Sequence, residues 1–385
     1  RDHLKQPGVR CIALCDIDQN ILESRAGDVE QISGNKPQLY GDFRRLIANR
    51  DIDIVIIGTP DHWHCLPLVM ACQEGKDVYV EKPLANSIEE CNIMAAAAKK
   101  YNRVVQVGQQ QRSGNHWQEA IEVVQSGHLG RIRKVRFWAN FFYGAGPETT
   151  PNQPVPEGVD YDMWLGPAPK RPFNPNRFHG SWRMFWDYGG GLMTDWGVHL
   201  IDMGLWALNI TSPPEKVSAM GGNFAAGNHA CEAADTHTTT YEFDDFHLVW
   251  EHNGGIQTGP YNRNYGVAFI GEKGTILADR NNWVLNPEVQ EGKNRTEKLP
   301  MHKSDGKSHV NHVQNFIDCV KTRQKPACDI ETGRKAAIFA HLGNIAYRTG
   351  KKLYYDDRNN TFPDNPEAND YLVPPYRDPW KLPKV

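Results

Sequence analysis

At 385 residues the chain is long enough for two domains with cores of ordinary size. A formal net charge of -3, with 39% hydrophobic and 23% charged residues, fits a globular chain and offers no basic run to a nucleic acid. No apolar stretch approaches the roughly 18 to 20 residues that a bilayer-spanning helix needs, and the residues given contain no signal peptide.

Residues 1–7 read as the polar tail of a helix, and 9–14 as a strand already inside a βαβ unit. The chain is therefore expected to lack its true beginning, together with any targeting segment, which leaves cytoplasm and periplasm both open. The first strand runs to Cys15 and ends at Asp16. An acidic side chain at the end of the second strand of a dinucleotide-binding fold accepts hydrogen bonds from ribose hydroxyls and repels a 2′-phosphate, so Asp16 favours NAD over NADP. Taken alone, Asp16 is equally a helix N-cap.

Helices are expected over 20–33 and 42–49, then a strand over 52–57. Its continuous apolar run, Ile54 to Ile57, indicates burial on both faces and hence a parallel strand. The loop Gly58-Thr59-Pro60-Asp61-His62-Trp63-His64 follows it. Two histidines at that spacing signal a metal only weakly, because no clean third ligand accompanies them, and no metal is assigned. The eight cysteines include no Cys-x-x-Cys pair and several lie in apolar patterns, which argues against a disulfide or zinc framework.

After a helix over 66–74, Val78, Tyr79 and Val80 form a short β-prone run that ends at Glu81-Lys82-Pro83. Ligands of open α/β sheets bind beyond the carboxyl ends of the strands, so Glu81 and Lys82 belong to the floor of a site. Pro83 keeps Lys82 extended. The bland reading of the pair is a solvated ion pair at a strand end. A helix over 87–100 capped by Ser87, a strand over 103–107, and Gln109 and Arg112 at its end complete the pattern. Strands alternating with helices argue a doubly wound parallel sheet, occupying residues 1–113.

Beyond a helix over 117–125 the pattern changes to period-2 strands, at 132–141, 216–221, 236–243, 247–252, 267–271 and 275–278. These predict an α+β domain over 114–350 with an open, mainly antiparallel sheet, one face covered and the other free to meet a second copy. A long excursion, 143–188, is rich in Pro, Trp, Asn and Arg and carries Trp164, Arg177, His179, Trp182, Arg183 and Trp186. Aromatic faces with forked donors suit a polyol ring, and a Pro-rich wrap with packed tryptophans is the alternative. It leads into Gly189-Gly190-Gly191 and then Asp195, His199 and Asp202. On a helix, Asp195 and His199 fall at i and i+4, where a carboxylate raises the basicity of an imidazole and orients it as a general base. Helices over 309–321 and 332–349 follow, then a Pro- and Tyr-rich tail (351–385) expected to lie across the body or a neighbouring subunit.

The strand ending at Asp16, the Thr59-Pro60 loop with His64, Glu81-Lys82-Pro83, and Gly190-Gly191 leading to Asp195 and His199 together resemble the Gfo/Idh/MocA oxidoreductases. This is the glucose-fructose oxidoreductase and inositol dehydrogenase group. The resemblance runs in order over about residues 9 to 350. It implies an NAD(P)-binding Rossmann domain, a C-terminal α/β domain often used for oligomerisation, and hydride transfer on a sugar or cyclitol. By position, Lys82 matches the catalytic lysine, Asp195 a substrate-orienting aspartate and His199 the acid/base histidine. Asp16, Thr59, Pro60, His64, Glu81, Lys82 and Gln109 match cofactor-side positions. Arg112, Trp164, Arg177, Trp182 and Arg183 are expected on the substrate side with Asp195 and His199. The family's first strand and Gly-rich phosphate loop would precede Arg1, which leaves open whether the chain as given binds cofactor.

The expected activity is an NAD-dependent oxidation of a carbohydrate hydroxyl by a dimer or tetramer, with Lys82 or His199 as the base. Two alternatives stand beside it. One is an NAD-dependent glycosidase that oxidises its sugar only transiently, and the other is a non-catalytic sugar-binding scaffold.

Overall fold

Strand and helix alternate through the first hundred residues because short β-branched runs are separated by capped amphipathic segments. The computed structural model describes residues 2–385. Residue 1, the first of the stretch read as a helix tail, lies outside them. The order is β1 (Ala13–Cys15), α1 (Gln19–Ser33), β2 (Gln38–Tyr40), α2 (Phe43–Ile47), β3 (Ile54–Ile57), α3 (Cys65–Gln73), β4 (Asp77–Val80), α4 (Ile88–Lys100) and β5 (Val105–Val107). Asp18 caps α1 through the Asn20 and Ile21 N–H groups, and Ser87 caps α4 through Glu90 N–H. β4 is buried at all four positions between its parallel neighbours β3 and β5.

The parallel sheet comes in two pieces: β1 with β2, and β3 with β4 and β5. Among the described residues no strand pairs with the edges of β1 and β3 that face each other. A trough of about 2110 Å³ runs between them, lined on one side by residues 9–17 and on the other by residues 50–61. Ile56 of β3 is half exposed there, although the sequence predicts burial on both faces.

The second half begins with α5 (Asn115–Gln125) and β6 (Ile132–Phe141), then α6 (Tyr161–Leu165), α7 (Gly191–Asp195) and α8 (Gly197–Ala207). Strands β7 (Lys216–Gly222), β8 (Thr236–Glu242), β9 (His247–Gly254), β10 (Tyr265–Gly271), β11 (Gly274–Ala278) and β12 (Asn282–Pro287) follow. A small hairpin, β13 (Val289–Gln290) and β14 (Lys293–Asn294), precedes β15 (His302–Lys303), α9 (Ser308–Thr322) and α10 (Ile330–Thr349). Eight strands form one sheet in the order β15-β12-β11-β10-β6-β9-β8-β7, antiparallel throughout except for the parallel pair β6 and β9. The sequence pattern misses β2 and all four strands from β12 to β15, none of which alternates long enough to show a period of two. Helices α5, α8 and α10 cover one face, burying Trp117, Phe137, Trp250, Phe269 and Trp283. The opposite face carries a small cluster of Trp138, Ala268 and Leu277 with Ile270 and Val284.

Two segments bind the halves together. α9 returns to the parallel sheet and covers Tyr79 and Val104 with Phe316 and Ile317. The excursion folds around its own aromatic core, in which Trp164, Phe173, Phe178, Trp182, Phe185 and Tyr188 pack together. It docks on the turn after β1, where Ile17 O accepts from Asp160 N–H. The tail crosses the body as expected: Tyr376 hydrogen-bonds Glu90 and Trp380 packs against Trp63 and Phe43. No helix among the described residues is long and apolar enough to cross a membrane.

Candidate active site

Lys82 leaves the end of β4 pointing away from the sheet, towards the second domain. Its Nζ donates to Asp195 Oδ1 at 2.5 Å and to the Asp195 backbone carbonyl at 2.8 Å. Asp195 closes α7, whose start is fixed by backbone geometry. Gly191 has φ +65°, and a Cβ there would lie 2.7 Å from the Ala233 Cβ, so only glycine fits. Asn344 of α10 donates to Gly190 O at 2.9 Å and holds the turn in register. The second Asp195 oxygen accepts from the Tyr143 hydroxyl at 2.8 Å, which itself accepts from Trp196 Nε1 at 2.6 Å. Arg183 Nε lies 3.4 Å from Asp195 Oδ1. Burial alone would raise the Asp195 pKa, but the charges of Lys82 and Arg183 outweigh it and hold the carboxyl below its usual range. Asp195 is thus an ionised anchor for Lys82.

The expected Asp195–His199 pair does not form. The helix breaks at Trp196, between α7 and α8, so the two residues do not share one helical face. His199 is buried beside Trp196, and its Nδ1 has no hydrogen-bond partner among the described residues. Burial, and then the charges of Lys82 and Arg280, push its pKa well below the ordinary histidine value. His199 is therefore a neutral imidazole with a free nitrogen.

On the cofactor side, Asp16, Thr59, Pro60, Glu81 and Lys82 all line the trough. The cap of α1 falls on Asp18 and not on Asp16. Asp16 Oδ1 accepts from Asp18 N–H at 3.0 Å, while burial raises the carboxyl's pKa. Glu81 lies over Gly108, whose missing side chain makes room for it. His64 does not line the trough. Its ring nitrogens meet Pro83 O at 2.8 Å and Thr59 O at 3.0 Å, tying the Thr59-Pro60 loop to the segment behind Lys82. Gln109 is buried with its Oε1 unpartnered, also away from the trough. His62 faces Trp164 O at 3.1 Å, and among the described residues no group of three or more His, Cys, Asp or Glu is placed to hold a metal.

These residues fit part of a dinucleotide. Asp16 brings to the trough wall a carboxylate of the kind that accepts from ribose hydroxyls, and Glu81 and Lys82 line the same trough, with Lys82 reaching Asp195. The trough wall formed by residues 9–17 and 50–61 has no Gly-rich turn opening a helix, the element that cradles a pyrophosphate.

The substrate-side expectations divide. Trp164, Trp182 and Arg183 reach the trough, with Arg183 stacked on Trp182 at 4.3 Å. Arg112 does not: its guanidinium makes a two-bond pair with Asp202 at 2.7 Å each and stacks on Trp206, because a buried carboxylate on α8 claims it. Arg177 donates to Pro172 O and is spent within the excursion. Two residues escaped the sequence reading. Tyr143 stands just past the end of β6, a strand-end aromatic that could have been flagged. Arg280, in the β11–β12 turn, stacks on Trp196 at 4.4 Å, and no local pattern marks it.

Comparison with known proteins follows this geometry. Residues 3–109 match a family model described as an oxidoreductase family NAD-binding Rossmann fold. Residues 113–382 match the corresponding C-terminal alpha/beta domain. A 1-carboxy-3-chloro-3,4-dihydroxycyclo hexa-1,5-diene dehydrogenase of Comamonas testosteroni is 31% identical over 137 residues, 35% of this chain and 33% of the relative. A glycosyl hydrolase family 109 protein of Shewanella putrefaciens is 30% identical over 129 residues, 32% of this chain and 28% of the relative. The matched segments thus span about a third of these curated relatives. A levoglucosan dehydrogenase solved with NADH and levoglucosan superposes with a TM-score of 0.66 at 18% identity, covering 90% of each chain, a likeness of fold. With both domain models matched in order along it, the chain belongs to the Gfo/Idh/MocA family of NAD-binding oxidoreductases.

Proposed function

We propose that this protein oxidises a carbohydrate hydroxyl with NAD, using Lys82, Asp195 and His199. The observation that carries the reading is a lysine tethered to an ionised aspartate at a strand end, close enough to a neutral histidine for its charge to be felt there. NAD, when bound, supplies the hydride acceptor. Lys82 uses two donors on Asp195 and has a third for the substrate oxygen, where its charge offsets the negative charge that develops as the proton leaves. His199, held uncharged, takes the hydroxyl proton. Asp16, a carboxylate on the trough wall, selects NAD over NADP. The division near residue 113, and pairing of copies through the face carrying Trp138, belong to the same proposal.

The test begins with denaturing the purified protein and identifying any released dinucleotide by mass. NADH formation is then followed with a panel of sugars and cyclitols. His199→Asn and Lys82→Met are expected to lower kcat by about 10²- to 10⁴-fold. An oxidation that survives both substitutions would refute the assignment. The likeness to glycosyl hydrolase family 109 proteins favours a second reading, in which the hydride returns to the sugar and a glycosidic bond is cleaved. Sugar release without net NADH would select it.

A further inference from the structure

The charges around Asp195 do not balance. Lys82, Arg183 and Arg280 surround this one fully ionised carboxylate. Glu81, on the far side of Lys82, has its carboxyl pushed upward by burial and then drawn back by that lysine. Asp61, the other buried carboxyl that feels Arg183 and Lys82, is pushed well up by burial and stays protonated, so counting Glu81 as ionised still leaves a positive excess. Arg183 is accounted for by Asp195, Trp182 and the Gly180 carbonyl. Arg280 has an aromatic partner, Trp196, but among the described residues no carboxylate contact.

Arg280 sits in the turn after β11, half-buried, with its guanidinium over the Trp196 ring. Its Nε is buried without a hydrogen-bond partner, and it forms no ion pair among the described residues. The neighbouring carboxylate is unavailable: Asp279 accepts from Arg263 Nη1 at 2.8 Å and from the Asn281 and Asn282 N–H groups at 2.7 and 3.1 Å. The charge of Arg280 reaches Tyr265, Asp195, Tyr143 and His199. It does not line the trough, so it is not placed for the dinucleotide's phosphates. A partly desolvated guanidinium with an unpartnered donor, close enough to His199 for its charge to be felt and outside the trough, is matched by an anion on the substrate.

Resting on the oxidoreductase reading of the same site, we infer that the substrate is an acidic sugar, whose carboxylate or phosphate is received by Arg280 against the Trp196 face while Lys82 holds the reacting hydroxyl. Trp196 then serves twice, stacking the guanidinium and fixing Tyr143 on Asp195. An anion there would also offset the charge that opposes protonation of His199, so the acidic group assists proton transfer as well as binding.

The test is calorimetric binding to the wild-type protein of D-glucuronate and D-galacturonate, the corresponding hexose phosphates, and the neutral hexoses. The expected result is that at least one acid binds about tenfold or more tightly than its neutral counterpart. Uronates and phosphates separate the two anion types. In Arg280→Gln that preference is expected to vanish while affinity for the neutral hexose is unchanged. Neutral hexoses binding as tightly as the acids, no acid binding, or a preference that survives Arg280→Gln would each overturn the inference. Should Arg280→Gln not fold, the wild-type comparison decides alone. Selective acid binding without NADH formation would keep the anion site and refute the oxidation. NADH formed equally from neutral and acidic sugars would do the reverse.

Discussion

Removing either end of the Lys82–Asp195 pair tests the physics of the site before any substrate is known. The two charged side chains are 14% and 11% exposed and meet at 2.5 Å. Unit charges about 4 Å apart in an effective dielectric of about 20 attract by roughly 4 kcal/mol, and losing one partner of a buried pair costs about 3–5 kcal/mol. Asp195→Asn removes the carboxylate that Lys82 and Arg183 contact and whose charge Arg280 feels, so it is expected at the upper end of that range. Lys82→Met is expected at the lower end, because Arg183 still faces the carboxylate. The double variant is expected to recover about 2 kcal/mol relative to the sum of the single losses. Urea unfolding followed by tryptophan fluorescence measures all four proteins. A coupling below about 0.5 kcal/mol, the size seen for solvated surface pairs, would refute the reading of a desolvated anchor.

Glu90 is buried by α4 and the tail, and burial raises its pKa to about 7 despite hydrogen bonds from Tyr376 and Ser87. A raised carboxyl favours the folded state only while protonated, so stability falls as pH climbs from about 4.5 through 7. Glu90→Gln is expected to stabilise by about 3 kcal/mol at about pH 8 and by almost nothing at about pH 4, read from unfolding midpoints. His62, His252, His312 and His341 have the opposite sign. Burial lowers each to about 4, so the fold loses up to about 1.4 kcal/mol per pH unit per histidine as pH drops from about 6.5 towards 4. A thermal midpoint flat across that window would contradict their burial as neutral rings. Arg112→Lys, which loses the two-bond geometry on Asp202, is expected to cost about 3 kcal/mol in stability while kcat per folded molecule stays near wild type. A large fall in kcat without loss of stability would place Arg112 in the substrate site after all.

Local chemistry made much of the fold legible. The apolar run before Glu81 and the cap at Ser87 both carry their secondary structure in a few neighbouring residues. The alternation of 132–141 does the same for β6, and these elements appear within a residue or two of expectation. Lys82, Asp195 and His199 stood out because strand ends host sites and because Asp and His recur at helical spacing. Spacing could not say whether the helix runs unbroken through Trp196, and that single break turns Asp195 from a partner of His199 into an anchor for Lys82, 113 residues away in sequence.

Sequence by itself determined the α/β character of both halves and the family resemblance, and it singled out the three polar residues proposed for the site, because these rest on short-range periodicity and on residue types with few alternative uses. Only the tertiary structure decided which charges meet. Arg112 was claimed by Asp202, Asp279 by Arg263, and Arg280 by no carboxylate, pairings that depend on contacts spanning 16 to 90 residues. An ion pair's partner is set by desolvation and distance in the folded molecule, and neither is written in the local pattern of the chain.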